Sequence, residues 1–441
     1  MSNPPNELRR RSRARYFLTG LVAAAALLGA SCSEASFPVP AQTNEHTSAA
    51  VFGFTHHRPD GNLLVDGEGA LPNVEPIDIL LNGEPAWVVG APLGEGSVWV
   101  AVSQEGLVQG FALSGREVVA IDVLPSALPP GMPPLLRVAD GRLRLVVAPN
   151  TASLQTHPVI LPSEAGLVFV EADGDLVLSS GGVETGRLAL RALPDSRLLT
   201  DGEGRILLLA DATTRYPHGV VGDRVEAGSI VLVETQPAVR VVTAIPIQPD
   251  AVVEGIAPIW ADLNGDGVRE IVVTVSDAEV GSRIVVYDEA GQIVAEGPPI
   301  GRGGRWRHQL AVAPFGPSGE LELAVVMTPH IGGIVEFYRL RNGSLDIVAT
   351  LAGASTHRIG SRNLDMALAG DFDGDGRVEL LAPDQSQAEL WGIQRVEGGA
   401  EVDWRLPIGG RLSTNLAAVE GSDNRISVAA GREDGTLRIW P

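Results

Sequence analysis

Two nine-residue stretches carry most of the chemistry legible in this chain. In Asp371-Phe-Asp-Gly-Asp-Gly-Arg-Val-Glu379, carboxylates fall on alternate residues (Asp371, Asp373, Asp375), Gly376 permits a sharp turn, and Glu379 returns a fourth acid. Asp262-Leu-Asn-Gly-Asp-Gly-Val-Arg-Glu270 repeats the layout as Asp262, Asn264, Asp266 and Glu270. Like charges about 4 Å apart repel by about 4 kcal/mol at an effective dielectric near 20. A loop written this way is stable around a hard cation, and Ca²⁺ takes about six to eight oxygens from such groups.

The flanks decide between the loops that begin this way. A helix–loop–helix site needs an acid at the twelfth position, which here is Val273 in one stretch and Ala382 in the other. The residues that follow, Ile271-Val-Val-Thr-Val275 and Leu380-Leu-Ala382, favour strands. The spacing therefore predicts a metal loop inside a β-hairpin. On these residues the chain resembles the FG-GAP/VCBS repeat family, whose blades build integrin-α-like β-propellers. The resemblance implies about two Ca²⁺ sites of structural role, each joining the first two strands of a blade. It also implies that the Val268 and Arg377 carbonyls serve as backbone ligands. Glu270 and Glu379 stand where Asp is commoner, and their extra methylene still reaches the ion.

The chain opens with five arginines between Asn6 and Arg15, an apolar run from Tyr16 to Leu28, and Gly29-Ala-Ser-Cys32. This order predicts a secretory signal over 1–31, and Gly-Ala-Ser-Cys resembles a bacterial lipobox with Cys32 as the lipidated residue. Cys32 is the one cysteine, so no internal disulfide can form. Residues 32–49 read as a flexible tether, and 50–441 as the folded domain. The expected setting is a bacterial cell envelope, as an outer-membrane lipoprotein or a secreted protein that meets the membrane through its lipid alone. Ser33 after the cysteine favours the outer membrane by resemblance to sorted lipoproteins.

Without residues 1–31 the chain keeps 28 arginines and 53 acids, a net charge near −25, and it has no lysine anywhere. Lysine Schiff bases and Walker-type phosphate loops are thereby excluded. The charge opposes nucleic acid as a partner and concentrates Ca²⁺.

A turn followed by an aliphatic strand recurs at Trp87–Val89, Leu145–Val147, Leu207–Leu209, Ile271–Val273, Ala324–Val326, Leu380–Leu381 and Ser427–Val428. Seven copies, rich in Gly and Pro with no clear amphipathic helix, predict an all-β fold: a seven-bladed β-propeller of four-stranded antiparallel blades. The last copy ends at its third strand, and Ala50–Thr55 is the expected source of its outer strand.

The links between blades carry a second expectation. Arg302, Arg305, Arg307, His308, His357, Arg358, Arg362 and Arg411 fall on links that open away from the metal loops. Together they would make a basic patch for carboxylate, sulfate or phosphate. The tryptophans suit packing between blades, with Trp306 as a candidate stacking platform; His56-His57 is a weak metal signal. No Gly-x-Ser-x-Gly elbow, His-Glu-x-x-His or dinucleotide fingerprint occurs. The function expected is a non-enzymatic binding, adhesion or scaffolding module for a protein or polyanionic glycan. The alternatives are an extracellular propeller lyase or hydrolase acting on polysaccharide, and a structural subunit of an envelope assembly.

Overall fold

A computed structural model describes residues 50–441; the signal, Cys32 and the tether lie outside the described residues. These residues form a β-propeller, and the only helical element among them is a single 3₁₀ turn, Pro162–Glu164. No described helix is long and apolar enough to cross a membrane.

The strands form seven hydrogen-bonded sheets, one of which holds two four-stranded units bridged by Ala251–Val253, so that eight units follow one another where seven copies were expected. Blade one is Pro85–Leu93, Gly96–Ser103, Val108–Ser114 and Glu117–Ile121. Blade two has only Leu136–Ala139 and Arg142–Leu145, joined by Val51–Gly53. Blade three runs from Val159–Ile160 to Val183–Ala189, blade four from Leu199–Thr200 to Arg240–Pro246, and blade five from Ile259–Ala261 to Ile293–Glu296. Blade six spans Arg307–Ala313 to Ser344–Ala352, and blade seven Leu368–Asp371 to Gly399–Pro407. Blade eight is Leu412–Glu420, Ile426–Arg432 and Thr436–Trp440, with Ile77–Leu80 as its outer strand.

Two expectations are thus corrected. Blade three falls between the second and third copies, and its second strand, Leu167–Val170, follows a 3₁₀ turn rather than the Asp-Gly or Asn-Gly turn that marks other copies. The outer strand of blade eight is Ile77–Leu80 rather than Ala50–Thr55, because residues 51–68 are needed elsewhere.

Alternation explains why the blades read as unbroken aliphatic runs. In the second strand of blade five, Ile271, Val273 and Val275 face the seam with blade four, whereas Val272 faces blade six. Both faces are buried, so both must be apolar. Each seam has its own hydrophobic cluster, and Val88, Trp99, Val419, Ala429 and Ile439 join blade eight back to blade one. The ring closes through that seam. The weakest seam lies between blades two and three, where Ala148, Ala152, Phe169 and Val177 meet.

Residues 51–68 fill the axis. Val51–Gly53 pairs antiparallel with Leu136–Val138, and a Cβ at Gly53 would stand 2.3 Å from the Gly90 carbonyl oxygen. The chain turns at His57 (φ 62°) and returns beside blade seven, with Leu64–Glu68 parallel to Leu368–Asp371. On the way, Pro59 accepts from the Thr200 amide (2.9 Å), Asp60 from the Trp260 amide (3.0 Å) and Leu63 from the Ala369 amide (2.8 Å). The Asn62 side chain completes the circuit, donating to the Val312 carbonyl (2.8 Å) and accepting from its amide (2.9 Å).

Candidate metal hairpins and the axial polar core

Both acidic stretches lie where the hairpin reading put them, between the first and second strands of blades five and seven. Gly265, Gly267, Gly374 and Gly376 all adopt positive φ (81°, 85°, 77° and 83°), which turns successive amides inward. The Gly374 and Gly376 amides donate to Asp371 (2.8 and 2.9 Å), and those of Gly265 and Gly267 donate to Asp262 (2.6 and 2.8 Å). The Phe372 amide donates to Glu379 (3.0 Å) and the Leu263 amide to Glu270 (2.8 Å). The Arg377 and Val268 amides donate to Asp375 and Asp266 (2.8 and 2.7 Å). Sequence repetition has become superposable hydrogen bonding.

Charge balance in blade seven fits a cation. Oxygens of Asp371, Asp373 and Asp375 can lie within 4.8 Å of one another. Burial and the neighbouring Asp373 carboxylate push the Glu379 carboxyl up to about 8, against the weaker effect of its bond from the Trp404 indole N–H (3.3 Å). In blade five, burial and the Asp266 and Asp262 charges raise Glu270. There the Asn264 amide nitrogen donates to Asp266 (3.1 Å) and Glu270 (2.8 Å), holding the acids together without an ion. Turning that amide over would present its oxygen instead.

A third acidic group, Glu171, Asp173 and Asp175, forms the tip between the second and third strands of blade three. The Arg187 guanidinium donates to Glu171 (2.6 Å) and Asp175 (2.9 Å), so an arginine already supplies the positive charge.

The arginine row is divided between side chains held in ion pairs and side chains left exposed. Arg307 is buried against Glu336 (2.8 Å), and Arg362 bridges Asp195 (2.7 Å) and Asp223 (2.6 Å). Arg302 pairs with Glu279, and Arg305 donates to the Ile300 carbonyl. Arg358 and Arg411 share Glu433 (2.9 and 3.5 Å). Arg302, Arg305 and Arg411 remain exposed, and Arg305 bonds only to backbone carbonyls.

His308 and His357 turn inward instead. Trp306, 1 % exposed, stacks on His308 with ring centres 5.0 Å apart and meets His357 edge-on at 5.1 Å. It is a platform for the protein's own imidazoles, not for an external ligand. The other tryptophans largely pack into seams, apart from half-buried Trp391.

This inward cluster is part of a polar core that sequence reasoning missed. Arg197, on the link into blade four, donates to Asp365, on the link into blade seven, at 2.7 Å with both side chains almost fully buried. His56 from the axial segment and His157 pack beside them, ring centres 6.3 Å apart. Burial, then Arg197, holds His56 and His157 well below the ordinary imidazole range; for His308, burial comes first, then His357 and Arg197. His57 and His357 are each lowered to about 4, chiefly by burial. Asn415 adds an amide clamp at the closing seam, accepting from the Val88 amide (3.0 Å) and donating to its carbonyl (2.7 Å). The signal available was the recurrence of polar residues just before inner strands, as in Thr156-His157 and Ser196-Arg197.

No family model matches the chain. No curated protein matches it either. Among solved structures it is similar to BamB from Moraxella catarrhalis (14 % identity, 83 % of this chain and 99 % of that one, TM-score 0.48). It is also similar to the Cps50 (Swd1) β-propeller domain of Myceliophteria thermophila (12 %, 83 % and 99 %, TM-score 0.44). A third is the C-terminal WD40 domain of Sif2 (8 %, 84 % and 98 %, TM-score 0.47). At these identities and TM-scores the likeness assigns neither family nor function.

Proposed function

We propose that this protein is a Ca²⁺-stabilised β-propeller that acts as a binding or scaffolding module for a protein partner, held at a bacterial envelope through Cys32. The observation that carries the reading is the axial segment. Residues 51–68 occupy the channel where a propeller enzyme would hold substrate, so the outer faces are what remains for recognition. The hairpins at 262–270 and 371–379 stabilise the face from which that segment enters and leaves. The excess of acids over arginines argues for a protein partner over a polyanionic glycan, because the overall negative charge repels one. The family resemblance at the two hairpins supports Ca²⁺; the lipid anchor rests on the sequence around Cys32.

The test is a binding screen of the mature protein against envelope proteins and glycan arrays, in Ca²⁺ and then in chelator. The reading predicts a protein hit that weakens in chelator. Retention of sulfated or uronic glycans alone would contradict it.

One observation favours the enzymatic alternative. On the link side, His218 sits 2.5 Å from Glu254, which also accepts from Ser276, and burial pushes the nearby Glu226 carboxyl up to about 9. Perturbed acids beside a histidine are what acid–base catalysis uses. Polysaccharide cleavage that disappears in Glu226→Gln would establish that reading.

A further inference from the structure

The tip of the axial segment, Thr55–Arg58, sits among groups that cannot accept a positive charge. His56 is 3 % exposed, and neither ring nitrogen has a hydrogen-bond partner. His157 faces it from the link into blade three, Arg197 from the link into blade four, and Asp365 from the link into blade seven. Asp365 is the acid within this set: one of its oxygens accepts from Arg197, and the other has no hydrogen-bond partner. On the segment itself, Arg58 pairs with Asp66. Further out, Arg362 is tied to Asp195 and Asp223. His308, His357 and His330 continue the row of imidazoles, and His218 beyond them is bonded to Glu254. A proton added to His56 or His157 therefore meets the Arg197 guanidinium and other imidazoles, while the single acid of the set is already committed to Arg197.

What holds the tip is slight compared with what holds the blades. The segment contributes a three-residue strand at Val51–Gly53, a short parallel pairing at Leu64–Glu68, scattered hydrogen bonds between them that include the Asn62 pair, and the apolar side chains of Phe54, Leu63 and Val65. Every blade, by contrast, is clamped by apolar seams on both sides.

We propose that this tip is an acid-sensitive latch: protonation of the axial imidazoles drives Thr55–Arg58 from its seat and frees residues 51–68, while the ring of blades stays folded and its channel opens. The inference rests on the axial geometry and is independent of Ca²⁺ and of any partner.

Hydrogen exchange on the full chain between pH 7.5 and 4.5, corrected for intrinsic rates, tests it. Protection across 51–68 is expected to fall by about tenfold per pH unit for each proton taken up on release. Protection of Leu207–Leu209 and Val325–Val326 should persist over the same range. His56→Gln with His157→Gln, neutral throughout, should move the midpoint down by about half a pH unit or more. Should that pair fail to fold, His308→Gln serves, with Trp306 fluorescence as readout: the wild type loses emission on acidification as an imidazolium forms against the indole, and the variant does not. Loss of plug and blade protection at one common pH, or an unshifted midpoint in the variant that folds, overturns the proposal.

Discussion

At the scale of the residue, the fold depends on a few buried polar side chains that satisfy backbone or charge across the ring. Asn415 and Asn62 each pair with both backbone groups of one residue, Val88 and Val312. Removing either amide leaves a buried N–H and C=O unpaired, at about 1–3 kcal/mol for each group. Asn415→Ala should therefore lower stability by about 2–4 kcal/mol in denaturant unfolding, whereas a change at an exposed strand position such as Glu401→Ala should move it by less than about 0.5 kcal/mol. Asp365→Ala should be harsher still, about 3–5 kcal/mol, because Arg197 would remain buried without a counter-charge. None of these roles was legible in sequence. A lone Asn or Asp before a strand looks like an ordinary turn former until the ring brings its partner across from far away in the chain.

At the scale of the element, the metal hairpins were the most legible part of the molecule. Alternate acids, paired glycines and a strand-forming tail specify a local structure, so no distant contact was needed to read it. The ion pairs of Arg307 and Arg362 were illegible for the opposite reason: position on a link says nothing about the acid waiting opposite. The hairpins also differ in charge. The blade-seven loop has four carboxylates, whereas Asn264 replaces one in blade five. Ligand charge tunes Ca²⁺ affinity, so isothermal titration should resolve a tighter and a weaker site. Asp373→Asn should bring the tighter site toward the weaker, by about tenfold or more. Equal affinities in the wild type would contradict this ranking.

At the scale of the whole molecule, the repeat was visible but miscounted. Seven aliphatic strands stood out, while the second strand of blade three, Leu167–Val170, follows a 3₁₀ turn in place of the Asp-Gly or Asn-Gly turn of other copies. The axial course of residues 51–68 is a long-range result that no local pattern encodes. Proton linkage follows from the same architecture. The folded state holds His57 and His357 at about 4, below the unfolded imidazole value near 6.5. The unfolded chain thus binds more protons between those values, and stability present above about pH 6.5 is lost as pH falls toward 4. Each group contributes up to about 1.4 kcal/mol per pH unit across that window. Chemical denaturation at pH 7.5 and 5 should show this loss, and equal stability at the two values would contradict the placement of these imidazoles.

The claim on which the functional reading depends is that divalent ions hold the two acidic hairpins. Calorimetric melting of the mature protein, in chelator and then at rising Ca²⁺, tests it most directly. Ligand at about a hundred times its dissociation constant adds about 2.7 kcal/mol per site, so the melting temperature should climb with Ca²⁺, and less steeply in Asp371→Asn. An unchanged melting temperature up to millimolar Ca²⁺, with no heat of binding, would contradict the account.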